Sequence, residues 1–236
     1  VLVLSEAKDI FGGELDNTIL KDQLNLMRVG EPMYVFYGYV EDGYDENGHI
    51  VYKNMDDDPA ITAADKTIIG DPNPDFLVNL TTAVSYKGFT LSAFFQSSIG
   101  NDIYSLSMAA QAYDYGYNGN TLREVYYNHW TLENPTAKYP NLDQTSYKMS
   151  DRFVYDGSFV RLKNLELAYD VPCARSKFIK RARVYVSAQN LFTITSYPFW
   201  DPDINANGGG SSMIQGVDSY CYPSARTYTI GCRLTF

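Results

Sequence analysis

Arg226-Thr-Tyr-Thr-Ile-Gly-Cys-Arg-Leu-Thr-Phe236 alternates without a break. Tyr228, Ile230, Cys232, Leu234 and Phe236 fall on one side, and Thr227, Thr229, Gly231, Arg233 and Thr235 on the other. Successive strand side chains face opposite sides of a sheet, so the stretch predicts a strand with one apolar face and one polar, cationic face. Two settings accept such a strand. A transmembrane β-barrel puts lipid on one side and a wet lumen on the other; a soluble sandwich buries one side and hydrates the other.

The same period recurs upstream. Over residues 75–86, Phe76, Val78, Leu80 and Val84 oppose Asn79, Thr81 and Ser85, with Lys87 continuing the polar side. After a turn at Lys87-Gly88, Phe89, Leu91, Ala93 and Phe95 oppose Thr90, Ser92 and Gln96, which reads as a tight hairpin of long strands. Residues 158–171 and 183–195 form a second expected pair, joined by 172–182 with Arg175, Lys177, Lys180 and Arg181 in the connection. Met33-Tyr-Val-Phe-Tyr-Gly-Tyr39 is strand-like by its aromatic and β-branched content, after a Gly/Pro turn at Arg28-Val-Gly-Glu-Pro32. About seven strands are expected in all.

Composition narrows the class. A run of about 18 apolar residues, the minimum for a spanning helix, is missing from the sequence. The mean hydropathy of −0.28 is low, yet barrel strands spend half their residues on the lumen and stay low for that reason. A net charge of −9 and a pI near 4.7 argue against nucleic acid as a partner, which wants a basic footprint. Cys173, Cys221 and Cys232 are too few and too scattered for a disulfide framework or a zinc site.

Residues 41–74 are acidic and read as a solvated loop with a small hairpin at Glu46-Asn47-Gly48. Within it, Asn54, Asp56, Asp58 and Asp65 stand at the first, third, fifth and twelfth positions of a calcium-loop pattern, making Ca2+ or Mg2+ a candidate cofactor there. Pro59 occupies the place where such loops need Gly, and Ala60 offers only its carbonyl. A plain acidic turn is the alternative. For catalysis there is little: His49 and His129 lie in predicted loops without triad or metal spacing, Glu133 or Asp201 would need a second carboxylate, and no Gly-rich phosphate loop is present. The chain is read as a non-enzyme.

An ordered series of motifs carries a resemblance. Val29-Gly-Glu-Pro32, Ile68-Ile-Gly-Asp-Pro-Asn-Pro-Asp-Phe76, Gly100-Asn-Asp-Ile-Tyr104, Trp130-Thr-Leu-Glu-Asn-Pro135, Tyr139-Pro140 and Asp156-Gly-Ser-Phe-Val-Arg-Leu-Lys-Asn-Leu165 come first. Tyr185-Val-Ser-Ala-Gln-Asn-Leu-Phe192, Asp201-Pro202, Tyr222-Pro223 and the terminal Phe236 follow. Together they resemble the C-terminal part of SusC/RagA-type TonB-dependent outer-membrane transporters. The resemblance implies an all-β, antiparallel transmembrane barrel of roughly 22 strands, to which residues 1–236 contribute a C-terminal portion without the plug domain. Val1-Leu-Val-Leu4, opening without Met or leader, fits a chain whose upstream part lies elsewhere.

With the C-terminus placed in the periplasm, the short connections fall inside and the long ones, at 41–74, 101–157 and 197–225, fall outside, the asymmetry of bacterial barrels. The resemblance further implies the Gram-negative outer membrane as location, a SusD-like surface lipoprotein as lid, TonB acting through the missing N-terminal part, and an oligosaccharide or peptide as cargo. Tyr228, Ile230, Leu234 and Phe236 resemble a barrel assembly signal. Tyr113, Tyr115, Tyr117, Trp130, Trp200 and Tyr220 lie in the outer loops and are candidates for ligand or lid contact, with loop-on-loop packing as the plainer role of each. A secreted glycan-binding β-sandwich is the alternative to transport; it would enclose Phe89, Phe95, Ile230 and Leu234 in a compact interior.

Overall fold

The computed structural model describes residues 14–16, 24–28, 30–113, 120–144, 147–173, 178–204 and 215–236. Its strands are β1 (Glu14–Asp16), β2 (Asn25–Arg28), β3 (Val35–Gly38), β4 (Glu41–Tyr44), β5 (Ile50–Tyr52), β6 (Thr67–Gly70), β7 (Phe76–Tyr86), β8 (Phe89–Ile99), β9 (Asp102–Ser105), β10 (Val154–Asp156), β11 (Phe159–Val171), β12 (Arg181–Thr195), β13 (Val217–Asp218) and β14 (Thr227–Thr235). Two helices, α1 (Leu106–Tyr113) and α2 (Arg123–Tyr127), lie between β9 and β10. The chain divides into two compact units. A sheet unit takes Asp75–Gly100, Gly157–Asp203 and Tyr222–Phe236, and a loop unit takes the rest.

The sheet unit is an antiparallel meander in the order β14-β12-β11-β8-β7. Its register explains why the alternation was so regular. Val84, Leu91, Leu167, Val186 and Ile230 form one cross-strand row, and Thr81–Phe94, Glu166–Ser92, Glu166–Ser187 and Ser187–Thr229 pairs belong to the opposite face. The apolar face is not buried: Val84 is 66% exposed, Val186 52% and Ile230 84%. Phe89 and Leu234 are exposed as well and Phe95 is half-buried, so these residues are not enclosed in a compact interior as a sandwich requires. The sheet is open, with β7 and β14 at its edges.

One irregularity keeps the two faces apart. Between Leu162 and Asn164 the register shifts, leaving Lys163 unpaired against β8 and opposite Asn190 and Leu191 of β12. Asn190 adopts φ +52°, a left-handed conformation that Asn tolerates better than most residues, and its Nδ2 donates to the Ala225 carbonyl at 2.9 Å. The bulge lets Leu162 and Leu165 share one face although they are three apart. At the β7–β8 turn, Lys87 and Gly88 both have positive φ, +46° and +86°, the geometry that matches strand twist in a two-residue hairpin.

Three expectations are corrected. The sheet has five strands rather than seven: the Met33–Tyr39 run belongs to a separate sheet, β1-β2-β3-β6, and Val1 to Leu4 lie outside the described residues. Strand propensity identified β3 correctly but carried no information about which sheet it joins. Residues 41–74 hold the expected hairpin, β4–β5, but also a one-turn 3-10 helix at Ala63–Asp65 and strand β6 in place of a plain loop. Of the cations placed in the 172–182 connection, Arg181 starts β12, and Arg175 and Lys177 lie outside the described residues.

The loop unit has its own core, in which Phe36, Tyr104 and Phe153 meet edge to face at 5.9 and 6.3 Å, with Leu24, Leu26, Val35, Ile103 and Val217 buried around them. Arg152 and Glu41 form an ion pair there, and the Ser150 hydroxyl donates to Glu41 Oε1 at 2.7 Å. Gly48 closes the β4–β5 turn at φ +79°, and a Cβ on it would stand 2.3 Å from the Trp130 indole. Strain and overlap therefore act together. Gly48→Ala is expected to destabilise the loop unit by about 1–3 kcal/mol, measured as faster limited proteolysis within residues 41–74.

Candidate functional site

The polar face of β11 carries a buried cation. Arg161, 1% exposed, follows Phe159 and Val160 at the start of the strand, where alternation directs it away from the apolar face. Its Nε donates to Thr193 Oγ1 at 3.0 Å, Nη1 to Ser224 Oγ at 3.2 Å and to Asp203 Oδ2 at 3.3 Å, and Nη2 to Asp201 Oδ1. The Phe159 ring lies 5.2 Å from the guanidinium carbon. Asp201 is itself buried: Oδ2 accepts the Ser224 N–H at 2.8 Å and Oδ1 the Asp203 N–H at 2.9 Å. Burial pushes the Asp201 carboxyl up, but the Ser224 and Asp203 N–H groups and the Arg161 guanidinium outweigh it and hold the group below the usual carboxylate range.

This cluster joins three stretches of sequence, the Asp156 to Leu165 motif, Asp201-Pro202 and the Tyr222-Pro223 pair with Ser224 beside it. Only the tertiary structure connects them, because their separations follow no local rule. The available signal was an Arg on a strand beside two conspicuous Pro-containing turns. Around the cluster opens a cavity of about 550 Å³ lined by Arg161, Asn190, Thr193, Trp200, Asp201 and Arg226 among others. Asn190 Oδ1 is buried there without a hydrogen-bond partner. Hydroxyls, an amide and an exposed indole beside a fixed cation can bind a polar ligand. With both its oxygens engaged, Asp201 is an anchor and not a general acid.

The other candidate residues are placed differently. Trp200 and Tyr220 are exposed, Tyr220 with φ +57°. Trp130 is buried against Gly48 and its backbone N–H donates to the Tyr139 carbonyl, so it packs loop on loop. Tyr113 ends α1; its side chain, Tyr115 and Tyr117 lie outside the described residues. Tyr228, Ile230, Leu234 and Phe236 are exposed.

The side chains of Asn54, Asp56, Asp58 and Asp65, the candidate calcium-loop positions, engage their own backbone. Among the described residues no group of three or more His, Cys, Asp or Glu converges as a metal site. The side-chain oxygens turn back on the chain instead: Asn54 Oδ1 accepts from Asp56 N, Asp56 Oδ1 from Asp58 N and Asp58 Oδ1 from Ala60 N. Asp65 is buried and accepts Met55 N and Thr62 N, both at 2.7 Å, within a capping box completed by Thr62. Those two N–H groups hold the Asp65 carboxyl below its ordinary range. Pro59 supports this succession of Asx turns where a calcium loop would need Gly. His49 lies 2.9 Å from Asp143, and His129 Nδ1 lies 2.6 Å from the Tyr126 carbonyl.

Replacing Arg161 by Met removes the counter-charge and leaves Asp201 buried, which is expected to cost about 3–5 kcal/mol. Arg161→Met with Asp201→Asn is expected to cost less than the sum of the single changes. Because the Asp201 carboxyl is depressed in the folded state, its contribution is present above the ordinary carboxylate range, near pH 3.9, and is lost as pH falls through the folded value. Protease protection of residues 196–203 and 222–226 should therefore drop in acid, and less so in Asp201→Asn.

No protein-family model matches the sequence. Among curated proteins, the chain is 31% identical to TonB-dependent receptor P3 of Formosa agariphila, over 99% of this chain and 25% of that protein. It is 30% identical to TonB-dependent receptor SusC of Bacteroides thetaiotaomicron, over 89% of this chain and 20% of that protein. Among solved structures it matches the RagAB peptide importer in its closed-closed state with a TM-score of 0.76 and 26% identity, covering 94% of this chain and 25% of that one, and in its open-open state with a TM-score of 0.73. The chain thus spans about a quarter or less of the length of these relatives. TonB-dependent receptors are transporters of the Gram-negative outer membrane, not enzymes. A two-faced open meander, the ordered motifs and these likenesses agree: the chain belongs to the SusC/RagA-type TonB-dependent receptors.

Proposed function

We propose that this chain supplies five adjacent wall strands of a roughly 22-stranded outer-membrane barrel, residues 1–236 being a C-terminal portion of the barrel domain. The complete protein would import oligosaccharides or peptides with a SusD-like lipoprotein as its lid, energised by TonB. The observation that carries this reading is the exposed apolar face of the β14-β12-β11-β8-β7 sheet. Contiguous apolar patches beyond a few hundred Å² are rare on soluble monomers, and lipid is the solvent that suits a face of alternating strands.

The open edges support the same reading. In hydrocarbon an unpaired N–H or C=O costs several kcal/mol, so β7 and β14 need neighbouring strands from the remainder of the receptor. The connections sort as well. The ends of the strands near Phe76, Ile99, Phe159, Thr195 and Thr227 share one edge of the sheet, and all the long excursions leave from that edge, whereas the Lys87-Gly88 turn leaves from the other. Trp200 and Tyr220, both exposed, are the residues we assign to ligand or lid contact, and Tyr228, Ile230, Leu234 and Phe236 to barrel assembly. A soluble sandwich has no such use for an exposed row of Val84, Val186 and Ile230.

Neighbouring residues on opposite faces of β12 test this. In the full-length receptor, Val186→Arg is expected to cost about 2–4 kcal/mol near the bilayer midplane, and Ser187→Arg far less. The measurement is the heat-modifiable, folded fraction recovered in outer membranes. Equal tolerance of the two variants, or a receptor that is soluble without detergent, would end the transporter reading.

A further inference from the structure

We propose that Arg181, Arg233 and the Tyr185 hydroxyl, together on the polar face of β12 and β14, hold carboxylates of a segment of the receptor that lies outside residues 1–236. In the ladder Arg183 stands directly opposite Arg233, and Arg181 opposite Thr235. Alternation puts all three arginines on the face away from Val184, Val186, Ile230 and Leu234. Residues so paired have Cβ atoms about 5 Å apart, and like charges directly opposite repel. Arg183 is compensated from β11: its Nη1 lies 3.4 Å from Asp170 Oδ2 and its Nη2 3.7 Å from Glu166 Oε1. Arg181 and Arg233 are exposed and have no ion-pair partner among the described residues.

A tyrosine completes the patch. Tyr185 pairs with Gly231, and its ring lies across that glycine: a Cβ on Gly231 would stand 2.4 Å from Tyr185 Cζ and 2.5 Å from Oη. The missing side chain lets the phenol reach from β12 onto β14, two residues before Arg233. Its hydroxyl has no hydrogen-bond partner among the described residues. Donors are thus gathered without a matching acceptor, in a chain of net charge −9. Guanidinium forks beside an O–H suit carboxylate oxygens.

The position selects the occupant. Asp170, opposite Arg183, donates its N–H to the Gly88 carbonyl at 2.9 Å, so the patch is level with the Lys87-Gly88 turn, at the edge of the sheet opposite the long excursions. A strand added to β14 could meet Arg233. Arg181, however, sits on β12, about 10 Å from such a strand, and both neighbours of β12 are already in place. A segment lying over the polar face reaches both arginines. In the barrel reading proposed above, on which this assignment rests, that face is the lumen side, so the segment belongs to the receptor and not to lipid.

The test is photo-crosslinking in outer membranes that hold the full-length receptor. Benzoylphenylalanine replaces Thr235, which is opposite Arg181 and two residues from Arg233 on the same face, or Val186 on the other face. From position 235 the crosslink should capture a receptor peptide outside residues 1–236 that contains Asp or Glu. Arg181→Gln with Arg233→Gln should lower its yield, per heat-modifiable folded receptor, about fivefold or more. Arg181→Glu with Arg233→Glu should lower it too, and changing the acids of the captured peptide to Arg should then restore it. Capture of lipid, of a peptide within residues 1–236 or of nothing overturns the proposal, as does a yield that the Gln pair leaves unchanged. Position 186 separates the two readings: lipid captured there, with no receptor peptide captured from 235, sinks this assignment alone. Protein captured from 186 and lipid from 235 would end the transporter reading as well.

Discussion

The backbone ladder of the five-stranded sheet constrains everything else in its unit. Each strand must pair its N–H and C=O groups with both neighbours while its side chains meet two different surroundings, and a slip of one residue would exchange those surroundings for the whole strand. Among the described residues, the bulge at Lys163 is the one place where alternation fails within the five-stranded sheet, and there a compensating pair in β12, with Asn190 in a left-handed conformation, restores parity. Leu165, Leu167 and Tyr169 consequently remain aligned with Ala93, Leu91 and Phe89. The two-faced character that makes the sheet suited to a membrane therefore depends on a local defect as much as on a regular pattern.

Charge is handled by a different rule in the turns. Arg161 reaches burial because four oxygen acceptors, on Thr193, Asp201, Asp203 and Ser224, match its N–H groups. A guanidinium with fewer partners could not be desolvated at a tolerable cost. The acidic 54–65 turn solves the converse problem: its carboxylates and amide face backbone donors and so organise a chain segment with few apolar residues. Composition alone makes both segments look like loose, solvated loops; hydrogen bonding makes them structure. The acidic cluster with calcium-like spacing is folded as a series of turns.

Most of the five-stranded sheet was legible in the sequence. Period-two alternation located β7, β8, β11, β12 and β14 to within three residues of their ends, because a half-exposed strand records its environment at every second position. The Lys87-Gly88 turn was legible for a similar reason, since two residues of positive φ restrict the side chains that can occupy them. Family membership was legible in the motifs, whose order survives even though each is short.

The candidate site was far less visible. Trp200 could be named as an outer-loop aromatic, but Arg161, its partners and Asn190 could not be grouped, and Trp130 could not be distinguished from an exposed indole. Sequence by itself determined the faces of the strands, because neighbouring residues on one strand sense their surroundings through a fixed backbone geometry. Only the tertiary structure decided which strands share a sheet, where the ladder skips a residue and which buried groups meet. Those outcomes depend on contacts between residues distant in sequence, such as Arg161 with Thr193 and Ser224, and no local period records them.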